Sequence, residues 1–63
     1  MKKLDSHNRE IKSDNMVHID SMFGFTAQGK VVGFTAQKVK VYNFYEDRIL
    51  NIKPQNLTLI NDQ

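Results

Sequence analysis

The sequence predicts an all-β domain, a small barrel of five short strands with one 3₁₀ turn before the last. Valine and lysine alternate over residues 38–41, which is the period of two of a half-buried strand. Several further short apolar stretches are separated by polar turns. With 63 residues the chain has room for one domain only.

A β-hairpin over residues 29–41 is the predicted centre of this domain. Val31, Val32 and Phe34 supply apolar surface on its first strand. Residues 35–37, Thr-Ala-Gln, are suited to the turn. The other strands are expected to add to this hairpin until the barrel closes.

The other strands follow from similar patterns. Val17 and Ile19 alternate with polar neighbours, which predicts the first strand over residues 16–20. Proline fixes φ and donates no hydrogen bond, so Pro54 is expected to end a strand and open the 3₁₀ turn. The remaining expectations are a hairpin strand continued through residues 42–45, a turn at 46–47, a strand over 48–53 and a last strand over 57–60.

Residues 1–10 are predicted to form a flexible polar arm, and residues 11–63 the barrel. Apart from Met1, Leu4 is the only strongly apolar side chain in the arm. A segment that buries so little apolar surface does not offset the entropy lost on ordering.

Composition excludes several kinds of protein. The chain has no cysteine, so it has no disulfide framework and no thiolate metal site, and we expect no metal or cofactor. No apolar stretch approaches the roughly 18 residues that cross a bilayer. The N-terminus lacks the apolar segment of a signal peptide, so the cytoplasm is the expected location.

The net charge of +2 lies on the predicted barrel, since residues 1–20 carry equal numbers of basic and acidic side chains. Basic side chains on outward strand positions could neutralise phosphates, and nearby aromatic rings could stack on unpaired bases. The same lysines could instead simply oppose edge-to-edge aggregation. The candidate nucleic-acid-binding residues are Lys30, Lys38, Lys40, Tyr42, Phe44, Arg48 and Lys53.

A pentapeptide, Gly-Phe-Thr-Ala-Gln, occurs at residues 24–28 and again at 33–37. The first copy lengthens the loop between the first two strands or extends both strands past the barrel. Its neighbourhood places Met22, Phe23 and Phe25 on a predicted loop. These side chains either fold over the open end of the barrel or form an exposed patch that binds another protein.

Two stretches resemble KOW-like and related small SH3-like barrels. Residues 16–19 and 29–34, Met-Val-His-Ile and Gly-Lys-Val-Val-Gly-Phe, are similar to the opening of such domains. Residues 53–60 are similar to the Lys-Pro-x-Asn-Leu ending of many bacterial and phage members. The resemblance covers about residues 11–61 and implies a five-stranded SH3-like barrel that binds RNA, or that contacts the transcription or translation machinery.

Two functions are therefore expected, both without catalysis. The first is an accessory protein that binds RNA or single-stranded nucleic acid through the basic and aromatic residues. The second is a protein-interaction module, self-association included, anchored by Met22, Phe23 and Phe25. Residues 31–34 also resemble part of the type II dihydrofolate reductases. Their ligand-contacting Val-Gln-Ile-Tyr strand is matched only by Ile-Leu-Asn-Ile at residues 49–52, so no catalytic residue carries over.

Overall fold

The computed structural model describes residues 2–20 and 26–60, and it confirms an all-β fold with five antiparallel strands in one sheet. The strand order is β4-β3-β2-β1-β5. A 3₁₀ turn over Pro54–Asn56 precedes the last strand, as predicted. The strands are β1 (Met16–Asp20), β2 (Thr26–Phe34), β3 (Val39–Asn43), β4 (Arg48–Ile52) and β5 (Leu57–Leu59). The described part of the chain contains no helix that could span a membrane.

The predicted central hairpin is confirmed as β2 and β3. Thr35 closes its turn, because its backbone N–H donates to the Lys38 carbonyl at 2.8 Å and its hydroxyl accepts from the Lys38 N–H at 2.8 Å. The pairing register shifts between Val31 and Gly33. This irregularity is a β-bulge, which bends the strand and increases its twist.

The core is a small set of aliphatic side chains drawn from four strands and the segment before β1. Ile19, Ile52 and Leu59 are half-buried and pack against it. The sheet curls around this cluster, since the molecule measures only 28 × 22 × 20 Å. The buried members are Ile11, Val17, Val31, Val39, Val41 and Leu57.

Gly29 allows β2 and β3 to approach closely at the centre of the sheet. A Cβ atom at this position would lie 2.5 Å from Val41 Cγ1 and 2.6 Å from the Tyr42 carbonyl oxygen. Real Cβ atoms do not tolerate such distances, so a side chain here would displace the β3 backbone.

Four predicted strand limits differ from the structure, and two of them by one residue: β4 ends at Ile52 and not at 53, and β5 ends at Leu59 and not at 60. β3 ends at Asn43, so Phe44 and Tyr45 lie in the following turn and not in the strand. The cause is the Asn43 side chain, whose Oδ1 accepts from the N–H groups of Tyr45 at 2.8 Å and Glu46 at 2.9 Å. β2 begins at Thr26, before residue 29 of the predicted hairpin, because residues 26–28 pair with the end of β1; this agrees with the alternative in which the first pentapeptide copy extends the strands.

The N-terminal segment lies along β5, where the sequence predicted a flexible arm over residues 1–10. Leu4 and Glu10 form an isolated antiparallel bridge, and the loop between them turns back on itself. Lys3 Nζ also lies 5.5 Å from the centre of the Phe34 ring. The prediction counted apolar side chains alone, and the contacts found here are mostly polar.

Asp5 holds this N-terminal segment together. Its side chain is fully buried. Oδ1 accepts from the backbone N–H groups of His7 at 2.9 Å and Arg9 at 2.8 Å, and Oδ2 accepts from that of Leu59 at 2.8 Å. Burial alone would raise the pKa of Asp5, but the hydrogen bonds from Leu59, Arg9 and His7, with the Arg9 charge, lower it below the ordinary value.

Candidate nucleic-acid interface

The outward face of β3 brings four of the predicted nucleic-acid-binding residues together. Side chains alternate along this strand, so the buried valines face the core while Lys40 and Tyr42 face outward. Tyr42 lies between Lys30 of β2 and Ile49 of β4 in the pairing register. We call Lys30, Lys40, Tyr42 and Phe44 the basic–aromatic face.

Two rings form the aromatic part of the basic–aromatic face. The Tyr42 and Phe44 rings lie 5.4 Å apart, centre to centre, at an interplanar angle of 68°. This edge-to-face contact is a favoured arrangement of aromatic pairs. Phe44 remains 47% exposed. The Asn43 side chain, which organises the turn, therefore positions an accessible ring beside Tyr42.

Two lysines flank Tyr42. Lys40 lies two residues before it on the same face, and its Cδ atom is 3.5 Å from the site of a Cβ at Gly33. The absence of a side chain at Gly33 therefore leaves room for the lysine stem. Lys30 forms an ion pair with Asp14 at 3.6 Å, but both side chains are exposed, so the pair is weak and a phosphate could compete with Asp14.

The other three predicted cations lie elsewhere. Arg48, the first residue of β4, donates from Nε to Oε1 of Glu46 in the preceding turn at 3.1 Å. Lys38 and Lys53 line a groove of about 600 Å³ beside β4. The structure therefore divides the seven predicted residues into a cluster of four and three separate cations.

The predicted protein-binding residues lie outside the described residues. Met22, Phe23 and Phe25 belong to segment 21–25, which the structure does not describe. Asp20 and Ala27, on either side of this segment, line the same groove as Leu50 and Ile52.

Sequence reasoning missed two residues that shape the basic–aromatic face. Ile49 is 58% exposed and lies opposite Tyr42, but no role was predicted for it from the sequence. Asn43 is buried and organises the turn that carries Phe44. The signal for Asn43 was present, since asparagine before a polar turn often bonds the backbone two residues on.

Within residues 2–20 and 26–60, no group of three or more histidine, aspartate or glutamate side chains is placed to hold a metal ion. Compared with protein-family models, with curated proteins and with solved structures, the chain matches none. The likeness to KOW-like domains therefore rests on the residues named above. What the fold and the site define is a small five-stranded β-domain with a basic and aromatic outer face.

Proposed function

We propose that this protein is a non-catalytic binding module that contacts single-stranded nucleic acid, RNA above all, through the basic–aromatic face. The observation that carries the proposal is the position of two exposed lysines beside the ring pair of Tyr42 and Phe44 on one side of the sheet. Such a face combines the two components of non-specific single-strand binding, charge for the backbone and rings for the bases.

The rings supply a stacking surface. Stacking of a base on an aromatic side chain is worth about 1–3 kcal/mol, and it needs an accessible ring face. Phe44 is held by its edge-to-face contact with Tyr42, so little side-chain freedom would be lost on binding. We expect Phe44 to be the stronger of the two contacts, because Tyr42 is already half-buried.

The lysines supply phosphate contacts. Lys30 and Lys40 lie on adjacent strands of the same face: Lys30 is directly opposite Tyr42, and Lys40 lies two residues before Tyr42 on β3. Each lysine that neutralises a phosphate releases condensed counterions, so affinity falls as salt rises. Two contacts give a weak binder with a shallow salt dependence, which fits a protein of net charge +2.

The test is fluorescence anisotropy with a labelled single-stranded uridine oligomer, from about 50 mM to about 200 mM salt. We expect Phe44→Ala to weaken binding by about 1–2 kcal/mol, as for loss of one stacked base. Tyr45→Ala is the matched control. Tyr45 is 81% exposed in the same turn but lines the groove beside β4, so its loss should leave affinity unchanged.

Lysine variants test the charge contribution separately. Lys40→Gln should weaken binding and reduce the salt dependence by about one phosphate contact, whereas Lys12→Gln, an exposed lysine before β1, should change neither. Absence of binding at 50 mM salt would refute the proposal. Equal losses for Phe44→Ala and Tyr45→Ala would refute the assignment of the site.

The alternative function, a protein-interaction module anchored by Met22, Phe23 and Phe25, predicts a different sensitivity. Capture of a protein partner should be lost on combining Phe23→Ala with Phe25→Ala and should survive Lys40→Gln. Nucleic-acid binding through the basic–aromatic face should show the reverse.

A further inference from the structure

The outer edge of β4 carries backbone groups with no partner in the part of the chain that the structure describes. The Phe44 N–H donates to the Gln28 carbonyl, so the backbone groups of Phe44 point toward β2. Because the direction of the backbone groups alternates along a strand, the even-numbered residues of β3 bond to β2 and the odd-numbered residues bond to β4. In β4 the backbone N–H and C=O groups of the even-numbered residues therefore point toward β3 and bond to it. The N–H and C=O groups of Ile49 and Asn51 point away from the sheet.

This edge lacks the features that usually prevent strands from pairing between molecules. β4 has the sequence Arg-Ile-Leu-Asn-Ile, with no proline and no lysine, and all five residues pair with β3 without a bulge. Ile49 adds an exposed apolar side chain at its centre. A regular edge of this kind, with a charged side chain only at its first residue, Arg48, is a template for another strand.

We propose that β4 pairs with β4 of a second copy of this chain, antiparallel across a two-fold axis at Leu50. In this register Ile49 of each copy exchanges backbone hydrogen bonds with Asn51 of the other copy. The two sheets become one continuous sheet of ten strands, and the contact closes on itself because both copies use the same surface.

Charge complementarity indicates that the strand paired with β4 comes from a second copy of this chain and that the two-fold axis passes through Leu50. This register brings Asp47, in the turn just before β4, next to Lys53, just after β4 of the other copy, and the symmetry forms the pair twice. Moving the register by one step in either direction sets Asp47 opposite Asn51 or Gln55 and loses both pairs. No like charges oppose each other along the strand.

The dimer does not depend on the proposed function, because it uses the edge of the sheet and not the basic–aromatic face. The two surfaces meet at Ile49, which lies beside Tyr42 on one side and on the free edge on the other. Dimerisation would therefore place two basic–aromatic faces in one continuous surface.

Sedimentation equilibrium of the full chain, from low micromolar to near-millimolar concentration, tests the dimer. The mass should rise from 7.3 kDa toward twice that value. Amide hydrogen exchange over the same range should slow at Ile49 and Asn51, while Leu50 and Ile52 stay protected throughout. A constant mass of 7.3 kDa, or a dimer without slowing at Ile49 and Asn51, would overturn the proposal.

Two variants test the interface in different ways. Lys53→Glu replaces both ion pairs by repulsions and should weaken the dimer about tenfold. Asn51→Pro removes an outward N–H, which an edge strand tolerates, so the variant should stay folded by circular dichroism and remain monomeric. Lys12→Glu, the same charge change at an exposed site before β1, is the control and should dimerise normally. If Lys53→Glu and Asn51→Pro both dimerise as the native chain does, the proposal is wrong.

Discussion

The two edges of this sheet differ in how their outward backbone groups are treated. At β5, the Leu57 carbonyl accepts from the Ser6 N–H at 2.8 Å, and the Leu59 carbonyl accepts from the Arg9 guanidinium at 2.8 Å. The Leu59 N–H donates to Asp5. At β4, the corresponding groups of Ile49 and Asn51 have no partner among the described residues.

The difference shows that the N-terminal loop closes one edge specifically. Seven residues, 4–10, provide the three partners that β5 needs, and a side-chain contact between Ser6 Oγ and Thr58 Oγ1 at 2.6 Å adds to them. An edge so covered cannot accept another strand. Among the described residues, β4 is therefore the edge whose backbone groups remain open to a strand of another molecule.

Among the changes considered, removal of the Asp5 carboxylate should cause the largest loss of stability, because Asp5 holds the N-terminal loop on the β5 edge. Asp5→Ala leaves the N–H groups of Leu59, Arg9 and His7 without their acceptor, and a buried donor without a partner costs about 1–3 kcal/mol. We expect a loss of about 2–4 kcal/mol in the free energy of unfolding, measured by urea denaturation.

Asp5→Asn separates the role of Oδ1, which accepts from His7 and Arg9, from the role of Oδ2, which accepts from Leu59. An amide keeps one acceptor for the N–H groups of His7 and Arg9 but presents a donor toward Leu59, so an intermediate loss is expected. Asp14→Asn is the control, because the Asp14 carboxylate is exposed and forms an ion pair with the exposed Lys30 side chain. If Asp5→Ala and Asp14→Asn cost the same, the loop does not close the edge.

The sequence predicted the hairpin, the five strands along the chain and the 3₁₀ turn because these features depend on local patterns. Val39 and Val41 alternate with lysines, and Pro54 permits only a few backbone conformations. The role of Asp5 could not be predicted in this way. Its main partner, Leu59, lies 54 residues away, and no local pattern indicates which carboxylate a distant strand edge will bury.

The repeated pentapeptide shows the same limit. Thr26-Ala27-Gln28 lies in β2 opposite β1, while the same three residues at 35–37 lie in the turn after β2. The two tripeptides are identical in sequence, so their different backbone conformations are set by the neighbouring strands. Likewise, clustering of Lys30 and Lys40 around Tyr42, without Arg48 and Lys53, follows from the register of three strands, which the sequence did not specify.

Acid should weaken the contact between the N-terminal loop and the β5 edge, because that contact depends on the Asp5 carboxylate. The folded-state pKa of Asp5 lies below its unfolded value of about 3.9, so its stabilisation is complete above that value and is lost as pH falls through the folded pKa. We expect the free energy of unfolding to fall more steeply between about pH 5 and pH 2 in the native chain than in Asp5→Asn. Parallel curves for the two proteins would exclude Asp5 as the source.

The smallest effect is expected at the exposed edge. Ile49→Thr keeps a β-branched side chain and changes a residue that is 58% exposed, so the monomer should change in stability by less than about 0.5 kcal/mol. Urea denaturation at a concentration where sedimentation shows only monomer measures this value. A loss above about 1 kcal/mol would mean that Ile49 is covered within the monomer. In that case β4 would be a second closed edge, and the contrast with β5 would disappear.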